Sequence, residues 1–389
     1  MTPLGELISQ RIRASGPISF AEFMELALYH PELGYYAREA QKTGRAGDFF
    51  TSVDVGALFG ELLARQFAEM WRRLQSKTDR ESFSGQPEEK DSRSVFDLVE
   101  AGAGNGRLSR DILDAAQRDD PDFYAAIRLS LVEQSPAARA AQAAVLGPHA
   151  ARLHRSCASV AGLAGLRGVI FANELLDALP THAVAMNEEG LREVFVDWRD
   201  GAFWEVLARP STPRIAEYLA RAGAGLAPGW RAEVNLAAED WTTAAAQTLD
   251  RGFLLIIDYG HEESELYGAS HSAGTLTLFK RHTTQADLQE PGSCDITAHV
   301  DLSAVRRAAE REGLNLLARL DQTYFLMGLG LDDLMNSPQG FDAASLHRRL
   351  AMKTLMLPGG LGSTHKVLVF GKGVGAPTLR CVSYRERLT

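Results

Sequence analysis

Cysteine is scarce. The 389 residues hold three, Cys157, Cys294 and Cys381, far apart and odd in number. No CxxC pair or Cys/His ligand spacing accompanies them, so neither a disulfide framework nor a structural zinc site is expected. A reducing compartment is the simple reading. Long hydrophobic runs are also missing: strongly apolar stretches such as Phe253 to Ile257 are far too short to cross a bilayer. Met1 to Pro17 lacks the apolar segment of a secretory signal, and Glu6 beside only Arg11 and Arg13 makes a poor transit peptide. A soluble, cytoplasmic protein is the expectation. A basic excess is lacking too, since Lys+Arg 41 against Asp+Glu 50 leaves −9. Non-specific nucleic-acid binding needs a dominant basic face, so that class is set aside. What is present, 45% hydrophobic and 23% charged residues, suffices for a large core and excludes a disordered chain.

Local patterns then order the chain. Leu4, Leu7, Ile8 and Ile12 repeat at helical spacing before Gly16-Pro17. Ser19 with Glu22 predicts a capped helix to Tyr29. A Gly-rich loop, Thr43 to Ser52, precedes an amphipathic helix over Leu58 to Leu74, and the polar stretch Gln75 to Ser94 reads as a surface loop. From Val95, short apolar strands alternate with helices. Strands are expected at Val95–Glu100, Arg128–Glu133, Arg152–Arg155, Val169–Ala172 and Phe253–Asp258. Helices are expected at Arg107–Gln117, Pro136–Leu146 and Ala158–Leu166. This alternation predicts an α/β fold with a doubly wound parallel sheet. A hairpin over Leu191 to Val206 turning at Arg199-Asp200-Gly201, helices at Ile215–Ala222, Trp241–Leu249 and Leu302–Glu312, further helical chain to Met356 and a last strand Lys366–Gly371 complete the reading. The expected organisation is 1–94 as a helical extension with a lid loop and linker, 95–190 as the core, 191–250 as an insertion, and 251–389 as the rest of the sheet with helical additions.

Three segments carry chemistry. In Val95 to Leu108, a strand runs into Gly102, Gly104 and Gly106 and then a helix. Such glycines let a ligand approach a helix N-terminus. The third comes one residue too early for the dinucleotide pattern GxGxxG. Glu100 ahead of them repels a pyrophosphate but suits the cationic end of an amino-acid-bearing cofactor. E-x-G-x-G-x-G is the usual loop of class I S-adenosylmethionine (SAM) methyltransferases. A purely structural turn and a nicotinamide or flavin site stay open as alternatives. Second, Glu133 ends a strand where ribose hydroxyls are gripped in such folds, or else caps the next helix. Third, Ala172-Asn173-Glu174-Leu175-Leu176-Asp177 ends a strand beside the cofactor. On a helical turn Glu174 and Asp177 share one face. Two carboxylates there suit a guanidinium, with helix capping as the alternative. Asp258-Tyr259-Gly260-His261 and His299 with Asp301 are weaker candidates at the same rim. No metal cluster is visible.

Together these strings resemble the MidA family of SAM-dependent methyltransferases, whose mitochondrial members are complex I assembly protein arginine methyltransferases. The resemblance runs through Phe20 to Tyr36, Gly47-Asp48-Phe49-Phe50-Thr51-Ser52, the glycine loop, Val132 to Pro136, Ala172 to Pro180, Ile256 to Gly260 and Pro291 to Asp301. Ala103 replaces a family proline, and Ala273-Gly274-Thr275-Leu276 lacks the acid of the family's Gly-Asp-Thr-Leu. The resemblance implies a class I methyltransferase core with helical additions, SAM as cofactor, and an arginine-bearing protein substrate such as a respiratory-complex subunit. Cofactor contacts are then expected at Gly47, Asp48, Phe49, Glu100, Gly102, Gly104, Asn105, Gly106, Glu133, Gln134 and Asn173. Catalysis is expected at Glu174, Asp177 and His299, with no metal. A non-catalytic assembly factor keeping the SAM fold, and less so an oxidoreductase, remain as alternatives.

Overall fold

The computed structural model describes residues 1–39, 51–76, 95–279, 288–336, 343–356 and 361–386. Gly47, Asp48 and Phe49, expected as cofactor contacts in a lid, lie outside the described residues, as do 77–94 of the polar stretch.

The main sheet has seven long strands: β1 Phe96–Ala101, β2 Ile127–Val132, β3 Leu153–Cys157, β4 Leu166–Asn173, β5 Leu249–His261, β6 Asn315–Asp321 and β7 His365–Lys372. Their order is β6-β7-β5-β4-β1-β2-β3, and the two-residue strand Val300–Asp301 pairs with the end of β5. Strands β1 to β5 pair in parallel. β7 inserts antiparallel to both β5 and β6. Side chains alternate across the sheet, so each strand feeds two cores. Phe96 and Leu98 pack under the helices Leu58–Gln75 and Arg107–Asp119. Val99 and Ala101 pack with residues of the helices Leu236–Thr248 and Leu302–Arg311 on the other face. Coverage on both faces is why these strands read as continuous apolar runs.

A second sheet is antiparallel. It joins Ile18–Ser19, Gly190–Arg199, His182–Asn187 and Arg231–Val234 in that order, with Ala202–Ala208 paired to Gly190–Arg199. The expected hairpin is its centre. Asp200 and Gly201 turn it with φ of 51° and 79°, the left-handed pair that two-residue hairpin loops require. Helices Pro3–Ser15 and Phe20–Tyr29 cover the sheet, burying Leu4, Ile8, Phe20 and Phe23 against Val194, Val196 and Phe203. Ser19 caps the second helix, accepting from the Glu22 amide at 3.2 Å.

Two local expectations are corrected. Ala158–Leu166 is not a helix: only Val160–Gly162 forms a 3₁₀ turn. Gly162 and Gly165 cost too much in so short a helix, and Val160, Leu163 and Leu166 bury in the core without one. The chain after residue 312 is not helical throughout, because Asn315–Asp321 forms edge strand β6. Its partner β7 lies far along the chain, so no local pattern announces the pairing.

Candidate active site

The carboxyl ends of β1, β2 and β4 open into two adjoining clefts. One, of about 320 Å³, is lined by Thr51, Asp54, Asn105, Arg107 and Asn173 among others. The second, of about 570 Å³, is lined by Tyr29, Gln134, Ser159, Glu174, Leu179 and Trp241 among others. Tyr36, Gly102, Gly104 and Glu133 line both.

The glycine loop explains the opening. Gly102, Gly104 and Gly106 have φ of 70°, 50° and 85°, a region side chains rarely adopt. A Cβ on Gly102 would press on Leu175 at 3.1 Å, whereas one on Gly104 would meet nothing within 4 Å. Gly104 therefore faces open space. Gly106 caps the helix Arg107–Asp119 without a side-chain acceptor, which suits the loop to a ligand's negative groups. Asn105 Oδ1 accepts from the Arg107 amide at 3.2 Å, and Arg107 pairs with Asp54 at 3.1 Å. Glu133 tightens the loop: its carboxylate accepts from the Gly104 amide at 2.9 Å and the Ser135 amide at 2.8 Å. Gln134 is exposed and donates to Glu25 at 3.1 Å, joining the N-terminal helix to this rim.

Glu100 lies beneath the loop, nearly buried, with Ser109 Oγ donating to it. No ion pair to Glu100 occurs among the described residues. Burial pushes its pKa from an ordinary 4.5 to about 8. The folded chain thus holds a proton that the unfolded chain loses, so this group's contribution to stability falls as pH rises from 4.5 towards 8.

The Asn173–Asp177 segment differs from the expected helical turn. Glu174 takes a left-handed φ of 51°, and a non-helical turn follows. Asp258 organises it: one carboxylate oxygen accepts from the amides of Leu175, Leu176 and Asp177 at 3.2, 2.8 and 3.4 Å. Asp258→Ala would strand these three donors. Its expected cost is about 3 kcal/mol, read as a lower denaturant midpoint at unchanged slope. Asp258→Asn, which keeps an acceptor, should cost less.

Glu174 lines the second cleft with its side chain only 7% exposed. Its Oε1 accepts from the Ser52 amide at 3.2 Å and Asn173 Nδ2 at 3.0 Å. Its Oε2 lies 3.6 Å from His365 Nε2 and has no hydrogen-bond partner among the described residues. Burial pulls the His365 imidazole pKa down, but the Glu174 carboxylate more than offsets this and the net shift is upward. Asp177 is buried deeper. Tyr259 donates to its Oδ2, and its Oδ1 is unpartnered among the described residues. Burial, then the charge of Asp258, raises the Asp177 pKa. His299 lines neither cleft; its ring packs 5.6 Å from Tyr259 and 5.0 Å from His261.

Some residues at the site carry no sequence signal of their own. Tyr36 sits in a Tyr-Tyr pair that reads as packing, yet it lines both clefts and donates to Asp295 at 3.0 Å. His365 is signalled only by its register opposite Tyr259, which pairing of β5 with β7 creates. Folding also gathers His261, His271 and His299, which the sequence leaves in separate segments.

These residues fit an amino-acid-bearing nucleoside. Gly104 leaves a cradle that a side chain would fill. Glu100 supplies a buried acid without a cation, and the buried Asn173 Oδ1 has no partner among the described residues. A family model of S-adenosyl-L-methionine-dependent methyltransferases matches residues 62–319. The protein arginine methyltransferase NDUFAF7 homolog, mitochondrial, of Drosophila melanogaster is 31% identical over 351 residues, 83% of this chain and 74% of its own length. The protein arginine methyltransferase NDUFAF7, mitochondrial, of Mus musculus is 30% identical over 358 residues, 85% of this chain and 75% of its own. A crystal structure of a Burkholderia thailandensis protein bound to S-adenosyl-homocysteine is 29% identical with a TM-score of 0.83, covering 98% of this chain and 94% of that one.

These findings set aside the oxidoreductase alternative. They also correct the cytoplasmic expectation, because the curated relatives are named as mitochondrial proteins. Among the described residues, no helix is long and apolar enough to cross a membrane. The cleft and the matches agree: this chain belongs to the family of S-adenosyl-L-methionine-dependent methyltransferases, with S-adenosyl-L-methionine as its cofactor.

Proposed function

We propose that the chain methylates a guanidino nitrogen of an arginine in a protein substrate, and that a respiratory-complex subunit is the substrate to test first. One observation carries this reading: Glu174 lines the second cleft with a buried carboxylate oxygen lacking a hydrogen-bond partner among the described residues, and the buried Asp177 three residues on has another. The names of the relatives in Drosophila melanogaster and Mus musculus agree with it.

Bound S-adenosyl-L-methionine supplies an electrophilic methyl on a sulfonium. Gly102 to Gly106 and Glu100 hold the amino-acid end, Asn105 and Asn173 add polar contacts beside it, and Glu133 with Gln134 holds the ribose side. An arginine side chain is protonated, with a pKa above about 12. Glu174 takes its N–H groups, fixes the attacking nitrogen in line at about 3 Å, and draws the positive charge to the far nitrogens. Burial holds the Asp177 pKa up, and an arriving cation would lower it. Transfer of the methyl to nitrogen would release S-adenosyl-homocysteine, and the surplus proton of the attacked nitrogen would leave through Glu174. We assign that proton to Glu174 rather than His299, which lines neither cleft.

Labelled methyl transfer from the cofactor, into arginine peptides and a solubilised respiratory-complex fraction, tests this. Mass spectrometry is expected to map the methyl to an arginine side chain. Label confined to lysine, an amino terminus or a small molecule would overturn the substrate class. Cofactor binding without any transfer would leave the non-catalytic assembly factor.

The Glu100 assignment makes its own prediction. With a pKa near 8 the free carboxyl is mostly protonated at pH 7, and pairing with the cofactor's ammonium should expel that proton. Calorimetry in buffers of differing ionisation enthalpy is expected to show release of about one proton per cofactor bound at pH 7. Glu100→Gln should abolish the release.

A further inference from the structure

We infer that His261, His271 and His299 form a transition-metal site, separate from the methyl-transfer clefts. One ring nitrogen from each lies within 4.8 Å of the others. None of the three lines either cleft. His261 is the last residue of β5, His271 ends the 3₁₀ turn Ala269–His271, and His299 lies between the strands Asp295–Thr297 and Val300–Asp301. The fold joins them when the end of β5 pairs with Val300–Asp301, Gly260 opposite Val300.

The hydrogen bonds around the rings carry the argument further than proximity. Glu265 Oε1 lies 3.0 Å from His261 Nδ1, and the Glu265 carbonyl oxygen lies 2.9 Å from His271 Nδ1, with Ser270 Oγ 3.2 Å from the same nitrogen. Metal-ligating histidines donate their second ring N–H to a carboxylate or carbonyl, which fixes tautomer and ring orientation. Glu265 does both, through its side chain and its backbone, and Nε2 of His261 and His271 has no hydrogen-bond partner among the described residues. The Nδ1 of His299 is buried and has no hydrogen-bond partner among the described residues.

Three neutral imidazoles select Zn²⁺, Co²⁺, Ni²⁺ or Cu²⁺ over Mg²⁺ or Ca²⁺. Tetrahedral bonds of about 2.0–2.1 Å place nitrogens about 3.4 Å apart, so binding would draw the three rings closer together. All three residues are partly exposed, so an ion has an approach. A bound ion would tie together three segments beside Tyr259, the residue that holds Asp177.

Zn²⁺ and Co²⁺ titrations of the chelator-treated, tag-free full chain test the site. The expected result is one equivalent bound, with Co²⁺ giving a tetrahedral visible spectrum. His271→Ala should weaken binding at least 100-fold, and Glu265→Gln, which removes the charge orienting His261, about 10-fold. The Glu265 side chain is 59% exposed, so Glu265→Gln keeps the test decisive if His271→Ala fails to fold. Absence of a stoichiometric site, or binding undiminished in the folded variants, would overturn the assignment.

Discussion

Glu174→Ala is expected to lower the methyl-transfer rate at least 100-fold, while cofactor affinity stays within about threefold. The split follows from what Glu174 touches. Its Oε1 is held by the Ser52 amide and Asn173, and its Oε2 is left without a hydrogen-bond partner among the described residues. The glycine loop and Glu133, which we assign to the cofactor, do not depend on it. Removing Glu174 therefore removes an interaction that matters when the nitrogen attacks, which lowers kcat rather than cofactor binding. Glu174→Gln separates charge from shape, since the amide oxygen still accepts from Ser52 and Asn173. If charge localisation is its task, Glu174→Gln should lose nearly as much as Glu174→Ala. Retention of more than half the rate in Glu174→Ala would remove this residue from the chemistry. The left-handed backbone at Glu174 is a strained position of the kind that gathers at active sites. It sets the carboxylate against the cleft, where a shift of about 1 Å costs about 100-fold.

Gly104→Val is expected to weaken cofactor affinity about 1000-fold, or about 4 kcal/mol. Two costs add. A β-branched residue at φ of 50° is strained, and its side chain projects into the space where a Cβ meets no protein atom within 4 Å. The Gly104 amide also anchors Glu133, so distortion of the loop moves the ribose grip as well. Gly104→Ala pays only part of the steric cost and should lose about tenfold. Calorimetric titration measures both. The cofactor-free variant should unfold within about 2 kcal/mol of the native chain, because nothing in the core opposes the new side chain. Wild-type affinity in Gly104→Val would place the cofactor elsewhere.

How legible these features are from sequence depends on the range of the interaction that makes them. The helix Pro136–Leu146 is readable to the residue because its signals are local: Ser135 caps it, Pro136 opens it and Gly147 ends it. The glycine loop is readable for the same reason, as three positive-φ residues between a strand and a helix. The Asp200-Gly201 hairpin turn is another. By contrast, β6 is an edge strand whose partner β7 comes far later in the chain. Two strands of the second sheet, His182–Asn187 and Arg231–Val234, likewise exist through pairing rather than pattern. The turn at Glu174 looks helical in sequence, since two acids three apart share a helix face. It is not helical because Asp258, on another strand, takes its amides.

By itself, then, the sequence determined the parallel core, the glycine cradle, the acids at the strand ends and, through its ordered motifs, the family. Tertiary structure decided which of those acids are buried beside one another, that Tyr36 and Trp241 line the clefts, and that three histidines from separate segments meet. The physical reason is one of distance along the chain. Caps, turns and periodicity are energies between neighbours and are written locally. Burial, unpartnered oxygens and shared ring nitrogens arise only when distant segments displace water from each other.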